Sequence, residues 1–433
     1  MRIPRTEVPP CGWNSYDCYA GCINEAEASA NFDVFIERLK PFGFDCFCLD
    51  AAWYADGSVL LNNQLRASGL YRTMHLDEWG RCIPSPVMFP HGLKALAERC
   101  HTNGIRFGLH LMRGMPRDAL RYNTPIKGTP YHARDIALPD EDCTWCKYWA
   151  AIDLRKPGAQ AFYDSEVEYL ANDIGVDFIK LDDVTEHPAD AEAFARAIDK
   201  VSRPILLSLS PGNDLYDQLF QRYAPIANMV RITADRWDND NEIRDALKQS
   251  YAMEGLAGPD CWMDLDMIPF GGLQVNMPQS SDKSIASLGC ARQSRLTPVG
   301  KRALLSLCAI LCSPLIFGGD LPTTPEEDFD LLLNPEILRC NRNGVPGRRT
   351  FFENHADVRM APSRKNNGHG WVAIFNTDSL DRHFTFSAPQ LGFDKMPSLV
   401  DIWGGNRPII PNPDGTIDFY LQRLGSAFLA FQQ

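Results

Sequence analysis

The stretch Val176-Asp177-Phe178-Ile179-Lys180-Leu181-Asp182-Asp183 joins an apolar run to two adjacent carboxylates, with a lysine two residues ahead of the first. Carboxylates gathered in one pocket repel each other, which raises some pKa values and leaves others low. One acid then stays ionised as nucleophile or base while another stays protonated. Cleaving a glycosidic bond with retention needs two such carboxyls about 5–5.5 Å apart, one attacking carbon and one protonating the leaving oxygen. Asp182 and Asp235 are the candidates for that pair. Lys180 shares the face of Asp182 on an extended strand. It helps keep Asp182 ionised and can bond a ligand hydroxyl. Trp13 and Trp53 supply aromatic faces for the apolar side of a sugar. Asp50, His110, Ser208, Arg231, Asp264, Asp266 and Asp320 also fall at the ends of apolar runs.

These positions require a scaffold that brings strand ends together. A continuous apolar run is how a parallel strand reads when both its faces are covered. Chemistry in α/β sheets and barrels sits at the carboxyl ends of such strands. Runs of this kind lie near residues 13, 47, 108, 179, 207, 230, 263 and 316. Helical patterns separate most of them, over 24–40, 91–103, 157–172, 189–201, 214–223, 241–253 and 297–312. The pattern predicts an α/β chain with a (β/α)8 TIM barrel over 1–340, a doubly wound sheet being the alternative. Short β-rich segments with Asn366-Asn367-Gly368 and Asp414-Gly415 turn signals predict a C-terminal antiparallel β-sandwich over 341–433. A polar excursion over 113–155 is long enough to be functional, with Arg113 and Trp145 expected at the pocket rim.

Composition sets the bounds. Hydrophobic residues are 45% and charged residues 23% of the chain, ordinary for a soluble globular protein. The net charge of −12, without basic runs, argues against nucleic acid and anionic membrane as partners. No segment has the ~18 continuous apolar residues of a membrane span. Met1-Arg2-Ile3-Pro4-Arg5 lacks an apolar signal core, so the expectation is a cytoplasmic protein, or a secreted or periplasmic one whose signal was removed. Of the 14 cysteines, Cys143-x-x-Cys146 is the only close polar pair, and no second pair completes a zinc-like set. No metal and no cofactor is expected.

The motifs resemble those of glycoside hydrolase family 27, which holds α-galactosidases and α-N-acetylgalactosaminidases. Gly12-Trp13-Asn14-Ser15-Tyr16 resembles the family's opening Gly-Trp-Asn-Ser-Trp. Leu49-Asp50-Ala51-Ala52-Trp53 resembles its second-strand motif. Lys180-Leu181-Asp182 matches the nucleophile motif Lys-x-Asp, and Arg231-Ile232-Thr233-Ala234-Asp235 matches Arg-x-x-x-Asp, whose Asp is the acid/base. Trp262-Met263-Asp264-Leu265-Asp266 and Ser313-Pro314-Leu315-Ile316-Phe317-Gly318-Gly319-Asp320-Leu321 resemble later motifs, all in order. The resemblance implies a barrel followed by a β-sandwich and a metal-free double displacement. Three positions depart. Ala51 stands where a second sugar-binding acid is usual. His110 stands where the third strand usually ends in Tyr. Ser210 falls where α-galactosidases carry a Glu crowding the sugar's 2-position, as in the N-acetylgalactosaminidase branch.

The expectation is a retaining exo-acting α-glycosidase, α-galactosidase-like. Asp182 and Asp235 are its catalytic residues. Trp13, Asp50, Trp53, His110, Lys180, Ser210, Arg231 and Asp266 bind a carbohydrate substrate, and a homo-oligomer is left open. Alternatives within the family are α-N-acetylgalactosaminidase, β-L-arabinopyranosidase and an isomaltose-releasing α-glucanase. Outside it stand a magnesium-dependent barrel lyase or isomerase using Asp182, Asp183 and Asp266 with Lys180 as base, and a non-catalytic sugar-binding protein.

Overall fold

The computed structural model describes residues 3, 6–56, 74–143, 148–212, 215–276 and 290–433. Eight short strands form one all-parallel sheet: β1 (Cys11–Asn14), β2 (Cys46–Leu49), β3 (Arg106–Met112), β4 (Phe178–Asp182), β5 (Leu206–Leu209), β6 (Met229–Arg231), β7 (Trp262–Asp264) and β8 (Leu315–Phe317). Their spatial order is β7-β6-β5-β4-β3-β2-β1-β8, the sequence order with β8 beside β1. The open edges meet just past β7, where Ile268 bridges Phe317 in parallel and the Leu265 N–H donates to Ser313 Oγ at 3.1 Å. The fold is a (β/α)8 barrel, and no doubly wound sheet forms.

Side-chain parity explains both the packing and the site. Phe178, Lys180 and Asp182 alternate with Ile179 and Leu181 along β4. The inward set begins at a packed floor of Cys46, Cys48, Phe178, Leu206, Met229, Trp262, Cys312 and Ile316. The outward set, including Phe47, Leu49, Ile179 and Leu181, packs into the larger core beneath the helices. Cysteines serve as small hydrophobes in the crowded barrel interior. Gly12 is fixed by the same crowding, since a Cβ there would lie 2.2 Å from the Cys46 carbonyl oxygen.

The helices follow the sequence pattern, with ends shifted by a few residues. Helix α1 (Glu25–Val34) opens with an Asn24/Glu27 capping box and continues through a wider turn over Phe35–Leu39. Then come α2 (Lys94–Thr102), α3 (Ala159–Tyr169), α4 (Pro188–Lys200), α5 (Asp217–Tyr223), α6 (Glu242–Ala252) and α7 (Pro298–Ile310). Among the described residues no helix is long and apolar enough to cross a membrane. The 113–155 excursion folds a small antiparallel sheet from Met115–Pro116, Ala137–Asp142 and Trp149–Ile152. Trp149 is buried there, edge-on to Tyr54. Trp145 and Cys146 lie outside the described residues.

One core group is poorly matched to its place. Glu166 on α3 is 1% exposed, and neither carboxyl oxygen has a hydrogen-bond partner among the described residues. Burial pushes its carboxyl up to about 8, with Arg81 lowering it and Asp77 raising it. Between the ordinary carboxylate range and that value the folded chain holds a proton that the unfolded chain releases. Stability must therefore fall as pH rises through this window. Glu166→Gln is expected to leave the melting temperature at pH 5 nearly unchanged and to raise it by several degrees at pH 8. An equal shift at both pH values would refute this origin.

Beyond the barrel, β9 (Arg348–Glu353), β10 (Ala356–Pro362), β11 (His369–Asn376), β12 (Arg382–Phe386), β13 (Ser398–Asp401), β14 (Arg407–Ile409), β15 (Ile417–Leu421) and β16 (Ser426–Gln432) are antiparallel. Six form a sheet in the order β9-β10-β11-β16-β13-β14, and β12 pairs with β15. The sheet and the ribbon enclose Val358, Val372, Ile374, Phe384, Phe386, Ile417 and Leu429. Trp371, Ala373, Phe375 and Phe428, of opposite parity, join the barrel core. Arg359 is fully buried at this junction, held by Asp357, by Ser250 Oγ at 3.1 Å and by the Leu247 carbonyl at 2.9 Å, both on α6.

Candidate active site

A cavity of about 430 Å³ opens at the carboxyl ends of the barrel strands. That is a common size for a small-molecule site, ~300–1,000 Å³. Its wall holds five carboxyls (Asp17, Asp50, Asp182, Asp235, Asp266), three cations (Lys180, Arg231, Arg236) and the rings of Tyr16 and Trp237. Inward parity and matched register bring these groups together. His110, Lys180 and Ser208 are successive register partners across β3, β4 and β5.

The polar contacts give each group a fixed partner. Lys180 Nζ and Asn14 Nδ2 both donate to Asp50 Oδ2, at 2.8 and 2.7 Å. His110 Nε2 lies 3.2 Å from Asp182 Oδ2, and the Asp183 N–H donates to Asp182 Oδ1 at 2.8 Å. Asp183 adopts a left-handed backbone (φ 61°), and Arg113 Nε holds its carboxylate at 2.8 Å. That buried ion pair aims the peptide that faces Asp182. Arg231 spans two acids, donating to Asp235 at 2.6 Å and to Asp266 at 3.1 Å. Asp266 also accepts the N–H groups of Arg236 and Met267, at 2.7 and 2.9 Å.

The environments drive the acids apart. Burial alone would raise Asp182, but the His110 hydrogen bond and the charges of His110, Lys180 and Arg231 hold it well below the carboxylate range. Asp235 moves the other way. Desolvation and the charges of Asp266 and Asp182 raise it against Arg231 and Lys180. Its side chain is nonetheless 59% exposed, so it faces the open cavity where an incoming group can reach it. Desolvation raises Asp264, below the pocket, to about 6, helped by Asp266. One acid held low and another raised in the same pocket are the kind of pair that acid–base chemistry uses.

Of the residues named from sequence, Asp50, Lys180, Asp182, Arg231, Asp235 and Asp266 all line the cavity. Four others do not. Trp13 is fully buried, stacked on Phe47 at 4.5 Å, and its indole donates to the Gly319 carbonyl at 2.8 Å. Its position on β1 has outward parity, so no ring face is left for a sugar. Trp53 is equally buried and donates to the His110 carbonyl at 2.9 Å. His110 itself is fully buried behind Asp182. Ser210 is 1% exposed, and Pro211 after it forms the wall instead. Asp320 turns away to accept from Tyr19 and Asn31. Of the acids in the magnesium reading, Asp183 is engaged by Arg113 and Asp266 by Arg231 and two N–H groups. No trio of metal-ligating side chains gathers among the described residues.

Sequence reasoning missed Tyr16, Asp17, Arg236, Trp237 and Met267. Tyr16 had a signal, since it closes the Gly12–Tyr16 motif just past the end of β1. Its ring lies 6.4 Å from that of Trp237 and 5.6 Å from Lys180 Nζ. The aromatic rings that line this cavity are those of Tyr16 and Trp237, not Trp13 or Trp53.

A barrel whose strand ends gather several carboxyls around a pocket of this size is an architecture found in glycoside hydrolases. No protein-family model matches the chain. The chain is similar to a β-L-arabinopyranosidase of glycoside hydrolase family 27 from Geobacillus stearothermophilus. The two are 33% identical, with 99% of this chain and 97% of that chain covered and a TM-score of 0.88. It is also 23% identical to an α-N-acetylgalactosaminidase of Homo sapiens (96% of this chain, 92% of that protein). An α-galactosidase of Cyamopsis tetragonoloba is 22% identical (92% and 80%). The chain belongs to glycoside hydrolase family 27.

Proposed function

We propose that this hydrolase is a retaining, exo-acting, α-galactosidase-like glycosidase that works through a covalent glycosyl-aspartate. Asp182 attacks the anomeric carbon while Asp235 protonates the departing oxygen. Asp235 then takes a proton from water as it attacks, and Asp182 is released. The opposite displacement of the two carboxyls on one wall carries this reading. Asp50, Lys180, Arg231 and Asp266 hold sugar hydroxyls, and Tyr16 and Trp237 face the ring. Residues 1–340 are taken as the catalytic unit and 341–433 as the β-sandwich. The test is a panel of aryl glycosides of galactose, N-acetylgalactosamine, glucose and arabinopyranose, with NMR reading the first-released anomer. Release of the inverted anomer would reject the mechanism.

One observation favours a second reading of the sugar. Ala51 replaces an acid that in the family binds a sugar hydroxyl, and its side chain cannot hydrogen-bond. β-L-Arabinopyranose has the ring configuration of α-D-galactopyranose without the C6 hydroxymethyl group. A pocket short of one carboxylate suits the smaller sugar, and the 33%-identical relative bears that activity in its name. Ala51→Asp is expected to shift the galactoside-to-arabinopyranoside ratio of kcat/KM about tenfold or more toward galactoside. An unchanged ratio would remove Ala51 as the determinant.

A further inference from the structure

Asp17 follows Tyr16 at the pocket mouth and plays no part in the proposed double displacement. It is 2% exposed, it lines the cavity, and its Oδ2 has no hydrogen-bond partner among the described residues. Its backbone is fixed, the carbonyl accepting from Gln274 N–H at 3.0 Å and Nε2 at 2.9 Å. Space has been left for its carboxyl. A Cβ on Gly318 would lie 2.2 Å from Oδ2, and no positive φ calls for glycine there.

The charges around it decide its form. Asp50 (past β2), Lys180 (β4), Asp235 (past β6), Asp266 (past β7) and, farther off, Arg292 are the charged groups that act on it. Each cation is already in contact with another acid or with backbone. Lys180 bonds Asp50, Arg231 bonds Asp235 and Asp266, and Arg292 pairs with Asp238. The Arg236 guanidinium is turned to the Leu265 and Met267 carbonyls. Asp17 thus meets three acids at a desolvated wall, without a cation in contact among the described residues. Burial first, then Asp266, raises it well above the ordinary range. A buried polar group without a partner is costly, and a ligand that supplies the partner recovers that cost.

We propose that Asp17 is a sugar-recognition residue whose partnerless carboxyl hydrogen-bonds a substrate hydroxyl. This rests on the glycosidase reading of the same pocket, so the variants are compared only on a glycoside that the wild-type enzyme turns over. Absence of any wild-type turnover would fault that reading and not this one. The amide of Asp17→Asn keeps a donor of the same shape. It is expected to hold kcat/KM within about threefold at pH 6 and to lose the part of the alkaline decline that comes from Asp17 ionising beside Asp235. Asp17→Ala is expected to raise KM about tenfold or more, with a smaller change in kcat and an unchanged melting temperature. Monosaccharide binding by calorimetry should weaken in Ala and hold in Asn. If Asp17→Ala does not fold, Asp17→Ser serves in its place. Equal losses in Asn and Ala, or wild-type KM and binding in Ala, would overturn the assignment.

Discussion

Replacing Asp182 by Gly is expected to abolish turnover of aryl α-glycosides, by on the order of 10⁴-fold or more, the scale of losing a covalent nucleophile. The variant removes the carboxylate that His110, Lys180 and Arg231 keep ionised. The Asp183 N–H that faced it stays in place. Added azide should enter the vacated space and attack the anomeric carbon while Asp235 still protonates the leaving group. One displacement instead of two yields a glycosyl azide of inverted configuration. Undiminished hydrolysis by Asp182→Gly would end the assignment. Recovery of a retained azide would place the nucleophile elsewhere.

The second large effect belongs to Asp235, and it should depend on the leaving group. Asp235→Ala is expected to cut kcat/KM about 10²–10⁴-fold for substrates whose departing oxygen needs a proton, the usual contribution of general acid catalysis. Dinitrophenyl glycosides, whose leaving group departs unprotonated, should still glycosylate the enzyme and show a burst followed by slow hydrolysis. The pH profile follows from the two displacements. Asp182 must be ionised and sits low, so activity falls only below the ordinary carboxylate range. Asp235 must be protonated and sits high, so it sets an alkaline limb that Asp235→Ala removes. Persistence of the whole limb in an Asp235→Ala, Asp17→Asn double variant, or an equal loss on all leaving groups, would transfer the acid role to another residue.

The fold and half of the pocket were legible in the sequence for one reason. Period-two parity and strand-end position are local properties. All eight barrel strands stand where apolar runs ended in polar residues, and the inward acids Asp50, Asp182 and Asp266 follow from parity. The same rule, applied strictly, would have turned Trp13 outward, since Gly12 and Asn14 take the inward face beside Cys46 and Cys48. His110 was placed at the sugar because it ends its strand, and Ser210 because the resemblance puts a sugar-facing residue there. The first is covered by the site it supports, and the second lies behind Pro211. Trp237, Met267 and Arg236 sit on loops whose course depends on tertiary contacts such as Arg236 to the Leu265 carbonyl. Periodicity carries no signal for these. Strands β10, β14 and β15 carry only a weak β signal, each with Pro, Arg or Asp within a short run.

The alternation along β11 bears on anyone who would shorten or transplant this barrel. Val372 and Ile374 face the ribbon, while Trp371, Ala373 and Phe375 face the helices around α7, so the sheet is a wall shared by two rooms. Ending the chain near residue 340 would take away Trp371 and Phe428, which cover the barrel helices, and empty the sockets of Arg359 on α6. The bare surface would be wide, apolar and sticky, and a catalyst cut that way would precipitate before its pocket could be assayed.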